Sequence, residues 1–220
     1  MKKHDISPRL FCILGGSSGI VGVLMIIISF NINAGPPPGA TVVQLTAFGK
    51  QNFGSILWGA WLQAIGPFFI ILFAFALVHL AGAAKLLSGW MTFFGAVILM
   101  TVSLIEITFY IAVMFKDPPV SILVCMNIIY AVQHLYFIIA APAFFIPLGI
   151  VLIGSDVLPR LFGYVAVLLG VAFAILGMIF LLSLVLPFWV TAFAGVQALW
   201  WLAAAILLIK RAAKIAYISE

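Results

Sequence analysis

Forty-nine consecutive residues, 161–209, contain no aspartate, glutamate, lysine or arginine. A stretch of that kind has a natural place in a bilayer. A helix rises about 1.5 Å per residue and crosses a hydrocarbon core of about 30 Å in about 20 apolar residues. The rest of the chain has the same character. Of its 220 residues, 66% are hydrophobic and 7% are charged, against roughly 45–50% and about 25% in an ordinary soluble domain. A water-soluble fold would expose apolar surface everywhere, and disordered or disulfide-rich secreted scaffolds have far less aliphatic content. The composition therefore predicts an all-α, polytopic membrane helix bundle in one domain.

Charges and Pro/Gly clusters divide the chain into six spans, at about residues 10–30, 56–81, 90–115, 132–153, 161–186 and 189–209. An outer loop of residues 31–55 follows the first, and Lys116-Asp117-Pro118-Pro119 makes a turn after the third. The stretch 118–153 holds 36 residues, which as one helix would be about 54 Å long, too long for one crossing and too short for two with a turn. We therefore place a non-spanning segment at 119–131, on the interface or dipping into it. The fourth span at 132–153 is kinked at Pro142 and Pro147. A seventh span is the alternative.

With six spans, eight basic residues fall on one side: Lys2, Lys3, Arg9, Lys85, Arg160, Lys210, Arg211 and Lys214. Lys50 and Lys116 fall on the other. The positive-inside rule then puts both termini in the cytoplasm, as in a multi-pass protein of a bacterial inner membrane. The net charge of +5 follows from that bias and calls for no nucleic-acid partner. The first apolar stretch exceeds the usual 7–15 residues of a signal peptide and reads as a retained helix. Cys12 and Cys125 fall on opposite sides, and no Cys/His spacing points to a metal site, haem or other cofactor.

Pro8-Arg9-Leu10-Phe11 opens the first span and Pro159-Arg160-Leu161-Phe162 the fifth; the second and sixth share Gln63-Ala64 and Gln197-Ala198. One reading is a parallel repeat of helices 1–2 in helices 5–6. The other is that Pro-Arg simply suits the start of a helix at a membrane interface.

Glu106 is the residue most expected to carry chemistry. It lies about nine residues, hence about 14 Å, below the outer end of the third span. A carboxylate at the bilayer centre costs about 2.5–3.5 kcal/mol on insertion scales, so the group should face protein or a watery cavity. It reads either as a proton carrier, general acid/base or cation ligand, or as a carboxyl hydrogen-bonded across a helix interface. Gln63 and Gln197 enter from the same side to similar depth, Gln133 and His134 begin the fourth span, and Tyr110 lies one turn above Glu106. Depth alone thus predicts an outer-half polar pocket lined by Gln63, Glu106, Tyr110, His134 and Gln197. His134 is either a relay partner of Glu106 or an interfacial histidine. Gly15, Gly19 and Gly22 form a small-residue face for close helix packing, because no strand or Gly-Lys-Ser/Thr accompanies them to make a phosphate loop.

The segment Gly154-Ser155-Asp156-Val157-Leu158-Pro159-Arg160-Leu161-Phe162-Gly163, followed by Gly170, resembles one found before the fifth helix of an uncharacterised bacterial six-helix membrane family, a domain of unknown function. The resemblance implies six spans, a glutamate in the third helix and a large loop after the first, which Glu106 and residues 31–55 match. Members often carry arginine three residues before the glutamate, where this chain has Ser103. No activity comes with the resemblance. Three function classes follow from the residues: binding or transport of a small lipophilic or cationic solute around Glu106; a structural or accessory subunit of a membrane complex or homo-oligomer; and an enzyme acting on a membrane lipid or isoprenoid.

Overall fold

The computed structural model describes residues 7–33, 35–36, 39–115, 119–179 and 188–219. Among them there is helix and no strand. The elements are α1 (Pro8–Ile32), α2 (Val42–Gln51), α3 (Phe53–Leu80), α4 (Leu87–Phe115), α5 (Pro119–Leu135), α6 (Ala141–Ile153), α7 (Arg160–Ile179) and α8 (Phe188–Ser219). Six helical runs are long and apolar enough to cross a membrane, the fourth being the joined run Ser121–Ile153. The chain is a multipass helical bundle. The end expected for the fifth span, residues 180–186, lies outside the described residues.

Local chemistry sets the helix limits. Ser7 caps α1 by accepting from Leu10 N at 3.3 Å, with Pro8 in the first turn. The expected outer loop is not all loop: residues 42–51 form α2, opened by a capping box in which Thr41 N donates to Gln44 Oε1 at 2.8 Å. Leu45 of α2 packs against the cluster of Ile122, Met126 and Ile129 in α5, as does Tyr110 of α4, so this helix lies over the end of the bundle nearest Glu106.

The break expected at residue 131 is absent. α5 passes through a π-helical turn, Tyr136–Ala140, directly into α6. The reason is visible in the sequence: Pro142 frees the carbonyl of Ile138, and a π turn absorbs the lost helical bond without ending the helix. A 33-residue run is about 50 Å long, and such a helix must tilt or protrude from a 30 Å core.

The six long helices sort into two groups of three. α1 packs along α3 and α8, whereas α6 packs along α7 and α4. The extensive contact of α1 with α3 is not matched by α7 with α8, which meet narrowly; it is matched by α6 with α7. Glycines set both close pairs. A Cβ on Gly22 would stand 2.7 Å from the Gly66 carbonyl oxygen, and one on Gly149 would stand 2.7 Å from that of Gly163. Only glycine at these crossings lets the backbones touch. Gly15 faces the Ala76 methyl and Gly19 the Phe73 ring, which places the glycine face of α1 against α3.

The two groups meet through α3 with α4, through α7 with α8, and across an aromatic layer. In that layer Trp201 of α8 contacts the rings of Phe73, Phe144, Phe145 and Trp200, and all but Trp200 are completely or almost completely buried. The Trp201 Nε1 group is buried without a hydrogen-bond partner among the described residues. Trp58, Trp61, Trp90 and Tyr164 are exposed towards the two ends of their helices.

Candidate functional site: a carboxyl held by two amides

Pro67 lies inside α3. Having no N–H, it leaves the carbonyl four residues earlier, that of Gln63, without its helical donor. Ser103 of α4 supplies one, its Oγ donating to Gln63 O at 3.2 Å. Ser103 thus ties α4 to the broken turn of α3. One turn further along α4 comes Glu106, on the same face as Ser103.

The Glu106 carboxyl is buried and accepts on both oxygens. Gln63 Nε2 donates to Oε2 at 2.9 Å, and Gln133 Nε2 donates to Oε1 at 2.8 Å. Three helices, α3, α4 and α5, therefore converge on one carboxyl. Tyr110, one turn beyond Glu106, interacts with the side chain of Gln133 and closes the cluster towards α2. Of the five residues expected to line a common pocket, the structure brings together Gln63, Glu106 and Tyr110.

Gln197 and His134 each have another hydrogen-bond partner. Gln197 of α8 accepts from the Tyr136 hydroxyl at 2.6 Å, at the start of the π turn. His134 is buried, and its Nδ1 lies 2.7 Å from the Tyr130 carbonyl oxygen of its own helix. Gln133 takes the place that His134 was expected to fill, since adjacent helical residues point about 100° apart. The signal was present in the sequence, because Gln133 enters at the same depth as His134. Depth could not say which of the two faces α4.

The chemistry of the cluster follows from its donors. Each amide carries a carbonyl oxygen on one side and an NH2 on the other. With both NH2 groups turned inwards the pair satisfies a carboxylate; with one amide turned over, its oxygen accepts the proton of a carboxylic acid. The same three side chains can therefore close around either form without leaving a carboxyl oxygen unpaired. Among the described residues no group of three or more His, Cys, Asp or Glu side chains could hold a metal ion.

An apolar groove of about 510 Å³ opens elsewhere, between α4 and α6, lined by residues such as Trp90, Phe94, Pro142 and Pro147. Its floor is close-packed. A Cβ on Gly95 would fall 2.1 Å from the carbonyl oxygen of Ala143, the very carbonyl that Pro147 leaves without a helical donor.

Fold and site together define a six-helix multipass membrane protein whose spanning helices contain one acidic residue, Glu106. Comparison of the chain with protein-family models, curated proteins and solved structures finds no match.

Proposed function

We propose that the protein binds and carries a small lipophilic cation, with Glu106 as the group that receives it, in the inner membrane of a bacterium and with both termini cytoplasmic. One observation carries this reading: the single acid of the spanning helices joins helices from both three-helix groups, through Gln63 on one side and Gln133 on the other. A cation or a proton arriving at Glu106 competes with those amides, so occupancy and helix packing are linked. Intramembrane carboxyls with a role of this kind face the bundle interior, as this one does. The reading as an accessory subunit rests on the same three-helix bond acting as glue. The enzyme reading would need a base beside Glu106; the Nδ1 of His134 lies 2.7 Å from the Tyr130 carbonyl oxygen.

The test uses tetraphenylphosphonium as the probe. Purified protein in detergent should bind it saturably, and Glu106→Gln should reduce the affinity at least tenfold while the protein stays folded. Equal binding by the variant, or none by the wild type, overturns the proposal and favours the accessory role.

A further inference from the structure

The two glycine crossings share more than their glycines. Around the first, a Cβ on Gly22 would meet Ile70 N at 2.9 Å, and one on Gly66 would meet Ile26 Cγ1 at 2.7 Å. Around the second, a Cβ on Gly149 would meet Val167 N at 2.8 Å, and one on Gly163 would meet Ile153 Cγ1 at 2.7 Å. In each case the partner is a β-branched residue four positions after the opposite glycine.

The register extends in both directions. Three residues before Gly22 and seven after Gly66, a Cβ on Gly19 would meet the Phe73 ring at 2.8 Å. At the corresponding positions, a Cβ on Gly170 would meet Ile146 Cγ1 at 2.7 Å: the close approach recurs with the small and large residues exchanged. Six residues before Gly22, Gly16 would meet the Ala205 carbonyl oxygen of α8 at 2.8 Å. Six before Gly149, Ala143 presents its carbonyl oxygen to Gly95 of α4. Thus α1, α3 and α4 correspond in order to α6, α7 and α8. Successive spans alternate in direction, so α1 and α6 cross in opposite senses. The relation is an inverted repeat of three helices and three, which differs from a parallel repeat of helices 1–2 in 5–6.

The third helix of each unit packs in the other's group. One lobe is α1, α3 and α8; the other is α4, α6 and α7. At the Glu106 end the lobes are joined by Gln63–Glu106, by Ser103 to the Gln63 carbonyl and by Tyr136–Gln197. Towards the other end they are joined by Trp200 Nε1 donating to the Phe162 carbonyl and by Arg211 donating to that of Asp156. Between these belts lies the aromatic layer, with the Trp201 N–H unpaired at its centre. An unpaired buried donor weakens the packed arrangement that contains it.

We infer that the two lobes rock about the aromatic layer, opening at the Glu106 end as they close at the Arg211 end, with the Gln63–Glu106 bond as the latch. An inverted repeat makes the two openings equivalent, since each is what the other becomes when the units exchange conformations. The latch is the clamp that the functional reading uses, but the motion does not depend on the solute. A protein that binds no lipophilic cation would still show it.

The experiment is paired distance measurement by electron spin resonance on the full chain in lipid nanodiscs, with Cys12→Ala and Cys125→Ser as background. One spin-label pair, Trp58→Cys with Val124→Cys, spans the lobes at the Glu106 end; both sites are exposed. The other, Leu161→Cys with Tyr217→Cys, spans them at the opposite end, again at exposed sites. Releasing the latch with Gln63→Leu, or with Glu106→Leu should the first fold poorly, is expected to lengthen the first distance and shorten the second by more than the width of the unreleased distributions. Unchanged distances at both ends, or a change at the Glu106 end alone, overturns rocking.

Discussion

Replacing Glu106 by leucine and by glutamine separates the burial of a side chain from the bonds it accepts. Leucine removes both acceptors and leaves the Gln63 and Gln133 amides facing hydrocarbon. Interhelical hydrogen bonds inside a membrane are worth about 0.6 kcal/mol on average and up to about 1.7. An orphaned buried amide adds about 1–3 kcal/mol when it finds no new partner. Two bonds and two amides, partly relieved by the amides turning towards each other, give about 2–4 kcal/mol for Glu106→Leu. Glutamine keeps one oxygen and one NH2 in place, and either neighbour can turn over to meet the NH2, so Glu106→Gln should cost about 1 kcal/mol or less. Unfolding of the purified protein in mixed micelles of rising SDS fraction, followed by far-ultraviolet circular dichroism, measures both. The reasoning fails if Glu106→Leu is as stable as the wild type, or if the two variants lose the same amount.

Other consequences are equally local. Ser103→Ala should cost about 1 kcal/mol by leaving the Gln63 carbonyl without a donor, and most of that cost should vanish in a Pro67→Ala background, where the helical N–H returns; additive losses in the same unfolding assay would refute the link. Gly95→Ala forces a methyl to within 2.1 Å of a backbone oxygen and should destabilise by about 3 kcal/mol or prevent folding, while Gly195→Ala, with nothing within 4 Å, should be neutral or slightly stabilising. Size-exclusion profiles and thermal scans distinguish the two. Tyr136→Phe removes the bond to Gln197 and should cost about 0.5–2 kcal/mol, read by the same unfolding series.

The spans were legible because their signal is one-dimensional: an apolar run either reaches about 20 residues or does not. The pairing of Gln63 with Glu106 was legible for a related reason, since counting residues from a helix end fixes depth. Rotation about the helix axis was not fixed by anything in these sequences. Apolar residues cover all faces of α3, α4 and α8, so no amphipathic pattern tells which side meets protein, and Gln197 and Gln133 were therefore assigned by height alone. The continuity of α5 with α6 was hidden by length. Thirty-six residues argued for a break, and the prolines that do mark a disturbance resolve it through a π turn within a single run. The repeat was sought in shared letters at the helix starts. The inverted repeat inferred above rests instead on the spacing of glycines and their β-branched partners, where Gly19 and Phe73 answer to Ile146 and Gly170 with sizes reversed.

The packing of α1 between α3 and α8 bears on how the chain is made. Insertion proceeds from the amino terminus, so α1 and α3 reach the membrane long before α8, the helix that completes their lobe. Until α8 emerges, the glycine-lined flank of α1 that receives Ala205 and Ile209 stands open to lipid. The second lobe has no such wait, because α4 is already in place when α6 and α7 arrive. Closure of the first lobe therefore waits on α8. A chain cut short before α8 would display an unfilled helix-packing surface inside the bilayer, a mark by which membrane proteases could tell an incomplete molecule from a finished one.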